Sequence, residues 1–349
     1  MHPRSPSDPF QRYQTEVARY LKTQDMSHVE GLGGREAEVI PLARGEYNLN
    51  YLVTTATTKL VFRINMGTQI GRDDQIVYEF NTLRLLEKSG VTPKPYHVDD
   101  SREIIDRGIG IMEFLEGAHL DYNLDLLGAA RTFAAIHSLE ITDRHNHLIR
   151  EDRPLTLIFK ECARLVDDYC NSPLADDSIS SYLKEVLDWA DTARKKESYF
   201  HRAPFFCIVN SEVNSNNFIV NRKRRTTHLI DWEMARWGDP STDLCHFCSA
   251  LTTLWKSDYR MTATDRREFI KQYKNHIGCP HLRDSLEDRM KLKDPFVYLR
   301  GISWSAMAWA AYQTGFAGIR NETTWQKLQE YMQLDFIKSL FDPFISSPS

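Results

Sequence analysis

Three oxygen-bearing side chains in one part of this sequence have the types and spacing needed to hold a metal ion. Glu212 and Asn217 lie in a loop between two runs of β-forming residues, and Asp231 ends a third such run. Hard oxygen ligands of this kind suit Mg²⁺, which keeps several waters and binds largely to substrate phosphates. A structural alternative stays open, in which Asp231 caps a turn and Asn217 stabilises its loop.

Short β-forming runs position these three residues. They cover 205–209, 218–220 and 228–230, and a basic turn at 221–226 joins the second run to the third. Proteins that bind single-stranded nucleic acid combine basic side chains with aromatic ones, and this turn contains no aromatic residue. We therefore interpret the turn as a solvated hairpin rather than a nucleic-acid contact.

The first third of the chain has the pattern of a small antiparallel sheet with one helix. Runs of β-forming residues separated by polar turns predict a meander over 38–42, 48–54 and 59–64. Residues 73–89 place apolar side chains three and four positions apart and are followed by Gly90, which predicts a helix and its end. A further strand is expected at 110–114.

From Gly117 onwards the sequence becomes mainly helical. Helical periodicity covers 124–139, 155–168 and 181–196, and several more helical segments follow residue 241. We therefore expect an α+β protein with two lobes. A small β-rich lobe with a leading helix would cover 1–116, and a large helical lobe would cover 117–349.

Composition and charge exclude several classes of protein. The 349 residues are 42% hydrophobic and 26% charged, as in globular chains with a sizeable core. The net charge of −4 gives no global electrostatic reason to bind nucleic acid or an anionic membrane. The first ten residues lack the apolar run of a secretory leader, and no stretch approaches the roughly 20 apolar residues of a membrane helix. We expect a cytoplasmic protein with neither of these partners; the sequence does not indicate its oligomeric state.

The six cysteines are few for this length and form no disulfide framework. Cys245 and Cys248 make a single C-x-x-C without a second pair, and apolar residues surround them. This pattern favours core cysteines of a buried helix over metal or redox chemistry.

Three motifs resemble those of the aminoglycoside phosphotransferase and choline kinase superfamily, whose fold is like that of protein kinases. That family has a catalytic loop H-G-D-x-x-x-x-N, then a strand ending I-D-W or I-D-F-E, then G-D-P-x-x-D-L. Here the first stretch reads N-S-E-V-N-S-N-N from Asn210 to Asn217, the second I-D-W-E from Ile230, and the third G-D-P-S-T-D-L from Gly238. The last two match, the first departs at its three leading positions, and the resemblance spans roughly residues 37–250.

The resemblance implies a two-lobed kinase-like fold that binds ATP and Mg²⁺ and phosphorylates a hydroxyl group of a small molecule. Asn217 and Asp231 would bind the Mg²⁺ that bridges the nucleotide phosphates. Arg63 stands where the family has a basic residue, often Lys, that contacts the phosphates, and an Arg can engage phosphate at two points. Glu79 in the following helix would hold Arg63 by an ion pair.

The resemblance also implies how the rest of the nucleotide is bound. The turn at 42–51, which contains Gly45 and Asn48, would cover the phosphates. The connector after the last strand of the small lobe, with the backbone of Glu113 and Leu115, would receive the adenine.

The departure in the first motif leaves two functions open. Glu212 replaces the aspartate that accepts or orients the proton of the attacking hydroxyl; it keeps the charge but reaches one methylene further. A misplacement of about 1 Å in a positioned group can cost on the order of a hundredfold in rate. The chain is therefore either a small-molecule kinase with Glu212 as its base, or a nucleotide-binding pseudokinase whose transfer chemistry is lost or altered.

The acceptor would enter a cleft of the large lobe. Aromatic side chains together with carboxylates would suit a cation, such as an aminoglycoside or a choline-like ammonium. Core packing of the tryptophans and a structural role for Asp243 are the favoured alternatives. The candidates are Asp121, Tyr122, Asp125, Asp243, Trp304 and Trp309.

Overall fold

The computed structural model describes residues 9–45, 47–142, 145–314 and 322–346. This part of the chain forms two compact units. The first contains the described residues up to Ala118 together with Leu139–Leu148 and Ile219–Ala235, and the second contains those of His119–Ser138, Ile149–Phe218 and Arg236–Ser349. The lobe boundaries expected from the sequence, 1–116 and 117–349, stay a prediction, and the first unit also includes two segments from beyond residue 117.

A five-stranded antiparallel sheet forms the centre of the first unit. Its order is β1-β2-β3-β5-β4, so the first three strands make the predicted meander. The strands are β1 (Glu38–Arg44), β2 (Asn48–Thr54), β3 (Lys59–Asn65), β4 (Pro95–Asp99) and β5 (Ile109–Glu113).

Alternation along β2 and β3 builds the core on one face of this sheet. Tyr51 and Phe62 are fully buried there, and their neighbours in sequence point the other way. Helix α1 (Pro9–Thr23) covers this face with Tyr13, Val17 and Tyr20, whose ring lies edge-on to Phe62 at 5.7 Å. The leading helix is thus part of the sheet's hydrophobic core.

Helix α2 (Gln75–Leu86) packs on β4 and β5. It continues into a short 3-10 turn at Glu87–Ser89, and the chain then leaves the helix at Gly90 with a φ of +68°. Only glycine adopts this conformation at little cost, so the residue ends the helix where the sequence predicted.

The second part of the first unit is a hairpin of β8 (Phe218–Asn221) and β9 (Thr226–Leu229). The basic turn between them has Arg225 in the left-handed region at a φ of +55°. A hydrogen bond from Leu229 N to Val91 O, 2.9 Å long, fixes the end of β9. The residues after β9 therefore reach the candidate site from a fixed position within this unit.

The second unit is helical, as predicted. The predicted helices at 124–139, 155–168 and 181–196 correspond to α3, α4 and α5, with ends shifted by one to four residues. Side chains from α4, α5, α10 and α12 share one hydrophobic core, which includes Leu155, Leu183, Leu299 and Ile337. The helices are α3 (Tyr122–His137), α4 (Pro154–Cys170), α5 (Asp177–Ala193), α6 (Ser198–Arg202), α7 (Ser241–Cys248), α8 (Ala250–Thr253), α9 (Ala263–His276), α10 (Pro280–Thr314), α11 (Glu322–Tyr331) and α12 (Leu334–Ile345).

Three short strands and two 3-10 turns complete the described elements. Strands β7 (Cys207–Val209) and β10 (Arg236–Gly238) pair antiparallel, so β7 leads into the candidate catalytic loop with a fixed register. Strand β6 covers Ala118–His119, and the 3-10 turns cover Arg194–Glu197 and Ser215–Asn217. Cys245 and Cys248 are buried thiols of α7, a helix as predicted. Among the helices of the described ranges, none has the length and apolar character to cross a bilayer.

Candidate active site

Arg63 is the centre of a polar cluster in the first unit. The register of β2 and β3 places Asn50 opposite it, and Asn50 Oδ1 accepts a hydrogen bond from Arg63 Nε at 3.0 Å. The Arg63 NH1 group donates to Glu79 Oε1 at 2.6 Å and to Asp231 Oδ1 at 3.0 Å. The ion pair expected between Arg63 and Glu79 is present, and the same guanidinium also holds Asp231.

Two of the carboxylates in this cluster are almost fully buried. Glu79 also accepts a hydrogen bond from the backbone N–H of Trp232 at 3.2 Å. Glu233 accepts from Asn48 Nδ2 at 2.7 Å and from Gln75 Nε2 at 3.0 Å. Sequence reasoning assigned no role to Glu233. Its position as the last residue of the I-D-W-E motif could have indicated one.

The cluster contains three carboxyl groups and one cation. Burial would lower the pKa of Arg63, but the charges of Glu79, Asp231 and Glu233 raise it. The pKa of Glu79 is raised, chiefly by burial, although the charge of Arg63 acts to lower it. Burial, followed by repulsion from Asp231 and Glu79, raises the pKa of Glu233 to about 8. A divalent cation at this place would favour the ionised form of these carboxyl groups and lower their pKa values.

Asp231 is the carboxylate of this cluster best placed to reach a ligand. Its side chain is 27% exposed, against 3% for Glu79. Its backbone lies in the left-handed region with a φ of +64°, which costs a residue with a Cβ about 1 kcal/mol or more. Backbone strain of this kind is common at residues whose side chains have a functional role. The strained residue, Asp231, lies just after the end of β9.

A buried aspartate of the second unit holds the candidate catalytic loop. Asp243, in the first turn of α7, accepts hydrogen bonds from the backbone N–H groups of Asn210 and Ser211, each 2.8 Å long. Its Oδ2 atom also lies 3.4 Å from Nε2 of His137, whose Nδ1 is 3.0 Å from the hydroxyl of Tyr273. Asp243 thus fixes the main chain that enters the loop, in line with the structural role favoured for it in the sequence analysis.

Hydrogen bonds within the loop fix the side-chain amide of Asn217. Asn210 Oδ1 accepts from the backbone N–H of Glu212 at 3.0 Å, and Asn217 Nδ2 donates to Glu212 O at 2.6 Å. Because a backbone carbonyl only accepts, the amide nitrogen of Asn217 faces the loop and its carbonyl oxygen faces away. That oxygen is of the hard type that Mg²⁺ prefers.

Each of the two predicted metal ligands offers an oxygen of the type that Mg²⁺ prefers, and their joint role in holding the ion stays a prediction. Asp231 supplies a partly exposed carboxylate and Asn217 a carbonyl oxygen, both with hydrogen bonds that fix their direction. Within the described ranges, no three His, Cys, Asp or Glu side chains are grouped so as to hold a metal by themselves.

Ser211 stands where the resembling family has glycine, and its backbone has a φ of +71°. Its hydroxyl oxygen is buried and has no hydrogen-bond partner in the described structure. Because glycine adopts a positive φ freely and removes this hydroxyl, we expect Ser211→Gly to raise the free energy of unfolding by about 1 kcal/mol. Urea unfolding measures this change. Ser211→Ala removes only the hydroxyl, and a glycine variant no more stable than the alanine variant would contradict the backbone explanation.

The turn predicted to cover the phosphates joins β1 to β2. Gly45 N donates to Asn48 O at 2.9 Å, which closes the turn. An added Cβ at Gly45 would make only ordinary contacts, the nearest being 3.7 Å from Asn48 O. Glu46, inside the turn, lies outside the described residues. The roles of Gly45 and Asn48 toward phosphate stay predictions.

The connector predicted to receive adenine begins where β5 ends. Glu113 is the last residue of β5, and its backbone N–H donates to Lys94 O at 2.8 Å. Leu115 follows two residues later and belongs to no strand. Binding of adenine by these two residues also stays a prediction.

Comparison with known proteins assigns the family. Residues 38–285, most of the chain, match the APH phosphotransferase enzyme family. The chain belongs to this phosphotransferase family. The match confirms the family resemblance inferred from the sequence, and proteins of this family are ATP-dependent kinases.

One curated relative of this phosphotransferase-family chain is the rat protein named acyl-CoA dehydrogenase family member 11. The two are 23% identical over 253 residues, which is 65% of this chain and 30% of the relative. The chain therefore spans less than a third of that relative's length.

Solved structures of other proteins share the fold of this chain. A Ralstonia eutropha protein provisionally described as an aminoglycoside phosphotransferase is 16% identical with a TM-score of 0.63, covering 91% of this chain and 99% of its own. Plasmodium vivax ethanolamine kinase is 14% identical with a TM-score of 0.61, and the match covers 95% of this chain and 92% of the kinase. A spectinomycin phosphotransferase solved with ADP and spectinomycin is 13% identical with a TM-score of 0.60. That match covers 93% of this chain and 96% of the other protein. The predicted α+β kinase-like fold is confirmed.

Two of the carboxylates that the sequence predicts for an acceptor cleft lie at the start of a helix. Asp121 is the N-cap of α3, and its Oδ1 accepts from Asn123 N at 2.9 Å. Asp125 in turn accepts from the backbone N–H of Asp121 at 2.9 Å. Both side chains therefore have local structural partners at the start of α3.

The aromatic acceptor candidates differ in exposure. Tyr122 is buried, and its ring stacks on Tyr259 with centroids 5.0 Å apart. The ring of Trp309 stacks on that of Trp325, with centroids 6.5 Å apart. Trp304 is 38% exposed to solvent. Of the aromatic candidates, Trp304 is the one that the structure leaves substantially open to solvent.

Proposed function

We propose that this APH phosphotransferase transfers the γ-phosphoryl group of ATP to a hydroxyl group of a small-molecule acceptor. The observation that carries this proposal is the cluster in which a single cation, Arg63, lies among the carboxyl groups of Glu79, Asp231 and Glu233. The carboxyl group of Asp231 is the partly exposed one. Membership of a family of ATP-dependent kinases supports it.

Each residue of the proposed site has a definite task. Asp231 and Asn217 would hold Mg²⁺, which neutralises the charge on the phosphate oxygens during transfer. Arg63, fixed by Glu79 and Asn50, would donate hydrogen bonds to the phosphates. Because these partners hold its guanidinium in one orientation, little further ordering is needed when the nucleotide binds.

Glu212 would orient the acceptor hydroxyl and hold its proton as the new bond to phosphorus forms. Its backbone N–H and carbonyl are bound by Asn210 and Asn217, and Asp243 anchors the two residues before it. A loop fixed in this way can compensate for the longer reach of glutamate, because phosphoryl transfer depends chiefly on positioning.

We expect Glu212→Gln to lower turnover on the order of a hundredfold while leaving Mg·ATP binding unchanged, because glutamine keeps the shape of the side chain but not its basicity. Steady-state transfer of labelled γ-phosphate measures the effect. Glu185→Gln on the exposed surface of α5 is the matched control and should leave turnover unchanged. Undiminished turnover in Glu212→Gln would show that Glu212 is not the base.

Thermal unfolding with ATP, with and without Mg²⁺, tests the nucleotide site. Ligand at about a hundred times its dissociation constant should stabilise the protein by about 2.7 kcal/mol. We expect a rise in Tm of several degrees that a chelator abolishes. Transfer of labelled γ-phosphate to hydroxyl-bearing compounds then tests the reaction itself. No rise in Tm with any nucleotide would reject the proposal.

A nucleotide-binding pseudokinase is the second candidate, because the loop from Asn210 to Glu212 departs from the family's motif at all three positions. It would give the Mg²⁺-dependent rise in Tm without phosphate transfer to any hydroxyl-bearing compound. The cationic acceptor expected from the sequence stays a prediction, and choline tests it directly.

A further inference from the structure

Two histidines of the first unit face each other through their ring nitrogens. Nε2 of His28 lies 3.0 Å from Nδ1 of His97, and the ring centroids are 5.0 Å apart. His28 follows helix α1 and is exposed, whereas His97 lies in β4 and is partly buried. The proposed phosphoryl transfer uses neither residue, so the contact requires a separate explanation.

The partners of His97 determine which of its nitrogens carries the proton. The hydroxyl of Tyr20 donates a hydrogen bond to Asp99 Oδ2 at 2.8 Å, and its oxygen lies 2.9 Å from Nε2 of His97. A hydroxyl has one proton, and here Asp99 accepts it, so Nε2 must donate to the Tyr20 oxygen. The lone pair of neutral His97 is therefore on Nδ1, directed toward His28.

Hydrogen bonds of this kind orient the histidines that bind metals. Such a histidine usually donates its second ring N–H to an oxygen, which fixes the ring and makes the other nitrogen a better ligand. Here that oxygen belongs to Tyr20, and Asp99 holds Tyr20 in turn. The other carboxylate oxygen of Asp99 accepts from Ser101 N at 2.8 Å. The ring of His97 is thus fixed through two further side chains.

The backbones that carry the two rings are also fixed. His97 pairs with Ile111 of β5 within the sheet. His28 lies between Met26 and Val29, which are buried in the hydrophobic core of this unit. Val29 N donates to Met26 O at 3.0 Å, which closes the turn that presents His28. The two rings therefore lie near each other without a ligand, so little ordering is needed when a ligand binds.

The spacing of the two nitrogens is close to that in a tetrahedral metal site. Imidazole nitrogens that bind one Zn²⁺ at about 2.0–2.1 Å lie about 3.3 Å apart, and here the separation is 3.0 Å. Imidazole suits Zn²⁺, Cu²⁺ and Ni²⁺, whereas Mg²⁺ requires oxygen ligands. In the ranges that the structure describes, no third His, Cys, Asp or Glu completes a metal-holding group. Water would supply the other ligands from the exposed side of His28.

We propose that His28 and His97 bind a divalent transition-metal ion, with Zn²⁺ as the expected ion, and that Tyr20 positions His97 for this role. The exposed ring of His28 turns, and its proton moves from Nε2 to Nδ1, so both facing nitrogens bind through lone pairs and no proton is lost. The ion would join the segment after α1 to β4, an outer strand of the sheet. Binding would therefore stabilise the first unit, independently of the proposed phosphoryl transfer.

Calorimetric titration of the full chain with ZnCl₂ in metal-free buffer tests the site. We expect Zn²⁺ to bind and, at saturation, to raise Tm by several degrees. Tyr20→Phe should weaken binding about tenfold, as loss of an outer partner of a metal ligand usually does. His28→Gln and His97→Gln should each weaken it more. His281→Gln, an exposed histidine at the start of α10, is the matched control and should leave binding unchanged.

The electron paramagnetic resonance spectrum of the chain loaded with Cu²⁺ counts the bound imidazoles. Coupling to two nitrogens that falls to one in His28→Gln supports the proposal. Absence of Zn²⁺ binding, or binding unchanged in both histidine variants, overturns it. Binding that is lost in Asp231→Asn but kept in His28→Gln also overturns it, because the ion then lies at the candidate active site. If His97→Gln does not fold, the exposed His28 still provides the test.

Discussion

Asp231→Asn should lower phosphoryl transfer about a thousandfold or more and remove the Mg²⁺ dependence of ATP binding. The substitution keeps the size of the side chain and a carbonyl oxygen but removes its negative charge. A metal ion that stabilises transferring phosphate contributes several kcal/mol, and each 1.36 kcal/mol corresponds to about tenfold in rate. The effect on rate follows if Asp231 is a principal ligand of the ion.

Two measurements separate loss of the metal from loss of the fold. Titration with ATP at a series of Mg²⁺ concentrations should show the dependence in the natural chain and not in Asp231→Asn. Thermal unfolding without ligand should show little destabilisation, because the variant removes one of several negative charges around Arg63. Asp73→Asn, an exposed residue just before α2, is the matched control. Magnesium-dependent binding that survives in Asp231→Asn would refute the metal assignment.

Arg63→Met should lower the free energy of unfolding by about 3–5 kcal/mol, because it removes the cation from a set of buried carboxylates. Glu79 and Glu233 are almost fully buried and would lose their main favourable charge interaction. A loss of this size is a large part of the stability of an ordinary domain. Nucleotide binding should weaken as well, if Arg63 contacts the phosphates.

The pH dependence of this loss has a definite sign. The pKa of Glu233 is raised to about 8 in the folded protein, against an ordinary value near 4.5 in the unfolded chain, so the folded state binds more protons between these values. Its stabilising contribution is present below about pH 4.5 and is lost as pH rises through about 8. Removing Arg63 raises the pKa of Glu233 in the folded protein further. The variant therefore loses stability over a wider range above pH 6, and Arg63→Met should be more destabilising at pH 8 than at pH 6.

Denaturant unfolding at both pH values measures the difference, with Arg63→Lys as the matched control. Lysine keeps the charge but not the planar group that contacts Asn50, Glu79 and Asp231 together, so it should lose clearly less stability. A loss below about 1 kcal/mol for Arg63→Met at pH 8 would mean that the carboxylates do not depend on this cation.

Local patterns in the sequence predicted the elements of this fold well. The run at 48–54 alternates in the way that buries Tyr51, and it forms β2 with the predicted bounds. Gly90 ends the helical region before it because its backbone conformation requires glycine. Such features depend on neighbours in the chain, which the sequence displays directly.

Features that depend on distant contacts were harder to predict. The placement of β5 between β3 and β4, and the contact of Glu233 with Asn48, depend on how strands far apart in sequence pair. Asp121 and Asp125 were predicted to face a cationic acceptor, and the structure adds that both accept backbone hydrogen bonds at the start of α3. A carboxylate at the start of a helix looks the same in a sequence whether it binds a ligand or a backbone N–H group.

The anchoring of the loop by Asp243 affects how members of this family can be recognised from their sequences. Asp243 binds the backbone N–H groups of Asn210 and Ser211, not their side chains. Any residue other than proline offers the same N–H group, so these two positions can change identity while the hydrogen bonds that shape the loop persist. Motif searches that require the His-Gly-Asp letters would pass over chains of this kind, whereas a search for the distant aspartate and the spacing to the following asparagine would find them.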